Sequence, residues 1–496
     1  MCNSLSFQYL AGILRTTIES GNRRRKTLKQ SSKANGCASP KKSPGLGKAA
    51  LSSVWPMLRY KTSTTSESER LMTLRRTMKL ACLKSVTVIT LCIGLASVCS
   101  AQTTPAPQSA DQKAPASGAD AKPATPAEPE PTPLSTPSMT GPISGLPPVT
   151  FDVGPLGKLA VNGIVSGTGL YQGGYRSSSN ESQQAALSNG QVWIQKTDGW
   201  WQFYVQAGAY NLLSLGTSYL ETDQAISNLY GALPVGFLKL VPGKNTSILI
   251  GALPTLIGAE YTFSFQNMSV QRGLLWNQEN AVTRGVQINQ TMGKVNLSFS
   301  YTDGFYSNRY SWLTGLISYT SGPHSIAFVA GGNVSQTKFQ TFATPVQNNG
   351  SIYNVIYTYS KGPWIIQPYY QYTSVPTNPE IGVVDGASTQ SGAVLATYKL
   401  NNGFSLSGRW EVISSSGSVA NDSVNLLYGP GSSAWSITAS PTFQKGGFFV
   451  RGDLSYVQAN SYVPGYAFGP SGDNPNQLRI VGEIGIIFGE NIFGKK

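Results

Sequence analysis

Successive side chains of an extended strand point to opposite faces, so strict alternation of apolar and polar residues commits a segment to a sheet with one apolar face. From Leu159 onward that alternation recurs, and no segment sustains a helical period. Trp201, Phe203, Val205, Ala207 and Ala209 alternate with Gln202, Tyr204, Gln206, Gly208 and Tyr210. Val295, Leu297, Phe299 and Tyr301 alternate with Asn296, Ser298, Ser300 and Thr302. Phe404, Leu406, Gly408, Trp410 and Val412 interleave with Ser405, Ser407, Arg409 and Glu411, and Trp435, Ile437, Ala439 and Phe443 with Ser436, Thr438, Ser440, Thr442 and Gln444. Each run is about ten residues long, the length a tilted strand needs to cross the hydrocarbon layer of a bilayer.

Alternation alone also fits a soluble β-sandwich. Aromatic residues tip the balance, because Trp200, Trp201, Tyr301, Trp364, Trp410, Trp435, Phe443, Phe448 and Phe488 stand near strand ends on the apolar face or at turns. An interfacial girdle requires that placement. The connections also alternate in length. Tight turns fall at 198–199, 242–245, 292–294, 321–323, 361–363, 401–403 and 445–447. Longer polar connections span about 173–183, 211–235, 253–281, 335–350, 374–388, 414–432 and 459–476, with a short one near 305–309. Seven tight turns and eight outer connections predict sixteen strands, an even number with both barrel ends on the periplasmic side. Val424 to Tyr428 also looks like a strand, but counting it would put 459–476 on the wrong side, so it is assigned to an outer loop. The expected fold class is all-β: a transmembrane antiparallel up-and-down β-barrel of about sixteen strands, preceded by a disordered N-terminal region.

Charge divides the chain at one point. Residues 1–101 carry 17 Lys/Arg against 3 Asp/Glu, whereas 102–496 carry 20 of each, so the formal +14 belongs wholly to the N-terminal segment. The rest has no electrostatic footprint for nucleic acid. Cys2, Cys37, Cys82, Cys92 and Cys99 all precede residue 102, and His324 is the only histidine. Such a chain is poorly equipped for disulfide scaffolding, thiolate or imidazole metal sites, or histidine-based catalysis. No catalytic residue, no metal site and no cofactor are expected, and an enzyme is not.

Met78-Lys79-Leu80-Ala81-Cys82-Leu83-Lys84, the apolar run Val86–Val98 and Cys99-Ser100-Ala101 read as a secretory signal peptide (78–101) cleaved after Ala101. Val98 is too bulky to precede a lipidated Cys99. Residues 1–77 are then a non-native or disordered extension, with translation expected to start at Met78 or Met72. The alternative is an organellar transit peptide. Residues 102–150 are a linker, Pro/Ala-rich over 102–148 (Pro105, Pro107, Pro115, Pro123, Pro126, Pro129, Pro131, Pro133), too poor in apolar surface to offset its ordering entropy. The barrel is placed at 151–496.

The face opposite the apolar set should meet the lumen. On late strands it carries Arg409 and Glu411, Arg451 and Asp453, Arg479 and Glu483, near mid-wall, where charge is tolerated only against water or another charge. These six are candidate pore-lining residues, either a charge filter with a transverse field or a salt-bridge network bracing the wall. The longest connection, 253–281, carries Glu260, Arg272 and Glu279 with Phe263, Phe265 and Trp276, and is a candidate constriction loop. The Arg451-Gly452-Asp453 tripeptide lies mid-strand, which argues against adhesion. His324 directly follows a tight turn on the periplasmic side, away from where a barrel hydrolase would need it.

Several stretches together resemble the OmpL-like β-barrel porin family of Gram-negative bacteria: Gly251 through Glu260, Asn267 through Arg272, Thr283-Arg284-Gly285-Val286, Gly408-Arg409-Trp410-Glu411 and Phe448 through Tyr456. The resemblance covers roughly 155–489. It implies an outer-membrane transport channel and names no solute. Barrels of this kind commonly end on an aromatic residue read by the barrel-assembly machinery, whereas here Phe488 and Phe493 are followed by Lys495-Lys496.

The expected protein is an outer-membrane porin passing small hydrophilic solutes by passive diffusion through a polar, charge-lined lumen. The alternative is a closed structural or surface-interaction barrel without channel activity. Expected partners are outer-membrane lipid, small solutes and the assembly machinery, with no nucleic acid. A homo-oligomer stays open, since no subunit interface is marked.

Overall fold

A computed structural model of the chain describes residues 139–175, 181–336, 338 and 344–492. The expected N-terminal extension (1–77) and signal peptide (78–101), most of the expected linker, Phe493 and Lys495-Lys496 lie outside the described residues. A four-residue strand, β1 (Val149–Asp152), precedes sixteen long ones. These are β2 (Lys158–Gln172), β3 (Gln183–Lys196), β4 (Trp201–Tyr210), β5 (Val235–Gly243), β6 (Thr246–Pro254), β7 (Val282–Met292), β8 (Val295–Thr302) and β9 (Trp312–Ser321). They continue as β10 (His324–Asn333), β11 (Ser351–Lys361), β12 (Trp364–Val375), β13 (Ala387–Lys399), β14 (Phe404–Ser415), β15 (Ser433–Lys445), β16 (Phe448–Ser461) and β17 (Asn476–Phe488).

Each long strand pairs antiparallel with its sequence neighbours, and β17 returns to β2 in register from Arg479↔Gln172 to Phe488↔Gly163. The sixteen strands β2–β17 therefore close into an up-and-down barrel, which leaves no unpaired sheet edge facing lipid. The seven tight turns and eight outer connections fall where the alternation of lengths placed them, and Val424–Tyr428 lies within the β14–β15 connection. Gly293 and Gly322 sit at φ +60° and +56°, the left-handed backbone that two-residue hairpins demand.

Facing follows the pleat. Phe404, Leu406 and Trp410 on β14, Ile437 on β15, and Leu454 on β16 are half-exposed on the outer surface, while Arg409, Glu411, Thr438 and Asp453 point inward and are buried. Outward rings pair near the periplasmic ends: Trp364 with Tyr398 at 4.6 Å and Phe404 with Phe443 at 4.7 Å. His324 belongs to this outer belt, exposed and hydrogen-bonded through Nδ1 to the Tyr357 hydroxyl at 2.6 Å.

One boundary differs from the sequence reading. Within the linker expected over 102–150, residues 139–148 pack against the barrel, because Met139, Ile143 and Leu146 bring apolar side chains into the proline-rich tract. Ile143 is 1% exposed among the inward side chains Ile164, Trp193, Phe449 and Ile487. The strap 139–148 thus enters the periplasmic mouth of the barrel. Ser144 exchanges two 2.8 Å bonds with the Gln444 amide, and the Pro147 carbonyl accepts from Glu490 N at 2.7 Å.

Candidate functional site

The functional geometry is set by the β6–β7 connection, 255–281, which folds into the lumen. An irregular segment inside a barrel must find partners for its own N–H and C=O groups, since neither a ladder nor bulk water serves them. The wall supplies them with charges. Asp453 accepts from Val270 N (3.1 Å) and Gln271 N (2.8 Å), and Glu411 accepts from Leu274 N (3.1 Å) and Leu275 N (3.4 Å). In the opposite sense, Arg409 Nη1 donates to the Gln271 carbonyl at 2.7 Å, and Arg451 Nη1 to the Asn267 carbonyl at 3.2 Å. Carboxylates cap the loop's donors and guanidiniums cap its acceptors.

The charges also neutralise one another. Arg409 reaches Glu260 on the loop at 2.7 Å and Glu411 on its own strand at 3.3 Å. Arg451 holds Glu483 through Nε and Nη2, both at 2.8 Å from Oε2. The other oxygen, Glu483 Oε1, collects Ser166 (2.9 Å), Ser188 (2.9 Å), Ser264 (3.0 Å) and Asn189 (3.2 Å). Arg479 donates to Gln172 Oε1, Gln271 Oε1 and the carbonyls of Ser214 and Thr217, tying the β4–β5 connection to the same assembly. Glu260 Oε2 accepts from Gly273 N at 2.7 Å and closes the loop on itself.

Apolar anchors seat the rest. Phe265 stacks on Trp193 at 5.6 Å, and Phe263 meets Tyr210 edge-on at 5.2 Å; both phenyl rings are fully buried. Burial of that kind contributes about 1.5–3 kcal/mol per ring. The N-terminal strap reaches the loop from below, with Thr140 N donating to the Gln266 carbonyl at 3.0 Å.

All six wall charges therefore point into the barrel, but none faces open space. Their exposures run from 0% for Glu411 and Arg479 to 3% for Arg451, and the loop covers them. The open, charge-lined lumen expected at these positions is occupied instead, because the long connection folds inward onto that wall.

Two loop charges have no hydrogen bond. Arg272 is fully buried with its guanidinium carbon 4.9 Å from the Trp276 ring centre, and none of its three side-chain nitrogens has a partner. Glu279 is 6% exposed, and neither carboxylate oxygen is bonded. Its carboxylate packs over Gly258, where φ is +81° and a Cβ would come within 1.9 Å. Burial, reinforced by Glu260 and Glu411, pushes the Glu279 carboxyl well above the usual carboxylate range.

Across the lumen the wall is different. Between the loop and the inner faces of β5–β7 and β9–β12 lies a cavity of about 550 Å³. Lys239, Ser247, Gln287, Asn289, Ser318 and Gln367 supply polar groups to it, and Phe237, Leu249, Leu316 and Ile356 supply apolar ones. Of the nine expected site residues, only Glu260 lines it. Lys239 was missed, although the rule that selected Arg409, a charge on the inward phase at mid-wall, applies equally to it. Ser166, Ser188 and Asn189 carry no comparable signal, being ordinary inward polar residues until Glu483 arrives beside them.

The family described as "Putative beta-barrel porin-2, OmpL-like" matches residues 158–488. Among solved structures, one similar fold is OmpTdeltaL8, a loop L8 deletion mutant of OmpT, an outer membrane protein of Vibrio cholerae. It shares 12% identity over 66% of this chain and 99% of that one, with a TM-score of 0.45. The outer membrane channel DcaP of Acinetobacter baumannii shares 11% identity over 66% and 97%, with a TM-score of 0.46. Salmonella typhi OmpF, solved in complex with daunomycin, shares 14% over 67% and 98%, with a TM-score of 0.43. No curated protein sequence matches this chain.

Proposed function

The chain belongs to the OmpL-like β-barrel porin family, and from that premise we propose that it is a non-enzymatic outer-membrane channel for small hydrophilic solutes. In this reading the route runs along the polar half of the lumen. The observation that carries it is the division of the interior. One half-wall is clamped to the inward loop through Arg409, Glu411, Arg451, Asp453 and Glu483, with Arg479 joining through Gln271. The other borders a cavity of about 550 Å³ furnished with hydroxyl and amide groups.

The six wall charges and Glu260 then act by positioning. They hold the loop at a fixed distance from the open wall, and so set the width of the passage. A secretory signal ending near Ala101 would deliver the chain to the envelope, where lipid contacts the outward apolar belt.

Exchanging Arg409 or Arg272 for glutamine, with single-channel conductance and ion selectivity recorded in planar bilayers, tests this reading. A loosened loop should alter conductance at one or both positions, and no change at either would sink the constriction role. A closed structural barrel is the second reading. It is favoured by the buried cluster of Ile257, Phe305, Trp312, Val329 and Ile352 on the outer side of the lumen. Liposome swelling separates the two, because a closed barrel gives none.

A further inference from the structure

The charge inventory of the lumen is uneven in a way that bears on which solutes it takes. On the clamped side, Glu260, Glu411 and Glu483 are met by Arg409 and Arg451, and Asp453 by loop N–H groups. Arg272 and Glu279 on the loop and Arg479 on β17 are buried and do not line the cavity. On the open side, Lys239 and Glu260 are the charged residues lining the cavity. Both Glu260 oxygens are occupied, by Arg409 Nη1 and Gly273 N, each at 2.7 Å. Lys239 is half-buried, and no described carboxylate stands within ion-pair reach of its ammonium. The cavity therefore carries one uncompensated cation.

That cation stands in an amphipathic compartment. Lys239 shares the inner face of β5 with Phe237, and Leu249, Leu256, Ile257, Leu316 and Ile356 form apolar surface around it. Three amides of the cavity wall each spend one of their two N–H donors on a neighbouring wall group. Gln287 Nε2 donates to Asn289 Oδ1 at 2.8 Å, Asn289 Nδ2 to Ser247 Oγ at 3.2 Å, and Gln367 Nε2 to Thr358 Oγ1 at 3.1 Å. A low-dielectric wall around a single ammonium raises its attraction for an anion well above the value in bulk water. Exposed outer connections carry Glu221, Asp223, Glu380, Asp422 and Asp473 against Arg309 and Lys338, so the outer rim supplies no preference for anions.

We infer that this cavity is a selectivity compartment for small organic anions, a carboxylate with a compact apolar body, and that Lys239 is its specificity-determining residue. The inference deepens the channel reading and rests on it for transport, while binding at Lys239 stands on the cavity alone.

Two experiments separate the levels. In planar bilayers under a KCl gradient, the wild-type reversal potential should report anion preference. Lys239→Gln should remove it, Lys239→Glu should invert it, and Lys361→Gln on the periplasmic rim should leave it. The second uses the mature chain's lack of cysteine. Ser318→Cys places one thiol on the cavity wall of the refolded barrel, to be modified by an anionic or a cationic methanethiosulfonate. The anionic reagent should react faster by a ratio on the order of tenfold, collapsing towards one in Ser318→Cys/Lys239→Gln. Equal rates with Lys239 in place, or a conducting barrel whose selectivity ignores Lys239→Glu, would overturn the inference. A rate ratio without any conductance would keep the binding compartment and reject the channel.

Discussion

The pair Arg451–Glu483 offers a quantitative test of the clamp. Both side chains are fully buried, joined by two 2.8 Å contacts, and bound to the loop on both sides, Arg451 through the Asn267 carbonyl and Glu483 through Ser264. Removing one member of a buried pair strands the other and costs about 3–5 kcal/mol, whereas removing both costs far less. Arg451→Met leaves a carboxylate with only hydroxyl and amide donors, and should fall in that range. Glu483→Gln keeps an oxygen for Ser166, Ser188, Ser264 and Asn189, so it should lie towards or below the lower end. The double substitution should be less damaging than the sum by ~2 kcal/mol. Denaturant-dependent refolding into lipid vesicles, read by the mobility difference between folded and heat-unfolded barrel, gives the four free energies. Single changes below ~1 kcal/mol, or additivity within ~0.5 kcal/mol, would mean that the pair braces nothing.

Further outcomes follow from facing, packing and charge. Leu454→Arg puts a cation on the lipid face mid-strand and should cost about 2–4 kcal/mol in the same refolding assay, while Leu454→Ile should be nearly silent. Ile143→Ala empties a buried strap site and should cost about 2–4 kcal/mol locally, seen as faster hydrogen exchange at 139–148 with the barrel strands unchanged. Glu279 titrates against the seated loop. Its carboxyl is raised when buried and ordinary when the loop is released, so the seated state is fully favoured below about pH 4.3 and loses stability as pH rises towards the raised value. Limited proteolysis of 255–281 should therefore speed up with pH in the wild type, and Glu279→Gln should remove that dependence. Equal pH profiles for the two proteins would refute the assignment.

Strand number, strand facing and the side of every connection were legible in the chain because each depends on neighbours within a hairpin. Alternation decides which face is apolar, and a tight turn such as Met292-Gly293-Lys294 decides where the chain reverses. Trp410 and Arg409 could be assigned to opposite faces from their positions alone. The family resemblance over roughly 155–489 agrees with the matched segment 158–488 for the same reason, since the recurring local pattern carries it.

What the charges do was decided by tertiary structure. Arg409 meets Glu260 across 149 residues and Arg451 meets Asn267 across 184, and no periodicity links such positions. A mid-wall arginine looks the same in sequence whether it faces water or a buried carbonyl. The difference is where 255–281 lies, and that is fixed by Phe263 and Phe265 finding Tyr210 and Trp193 inside the closed barrel. The strap at 139–148 was hidden likewise, because three apolar residues among prolines acquire a partner only once Ile164, Phe449 and Ile487 have been gathered around the periplasmic mouth. Composition and alternation determined a sixteen-stranded wall with a polar interior. Closure of that wall, by placing distant groups a few ångströms apart, determined which part of the interior is packed and which part is left as a cavity.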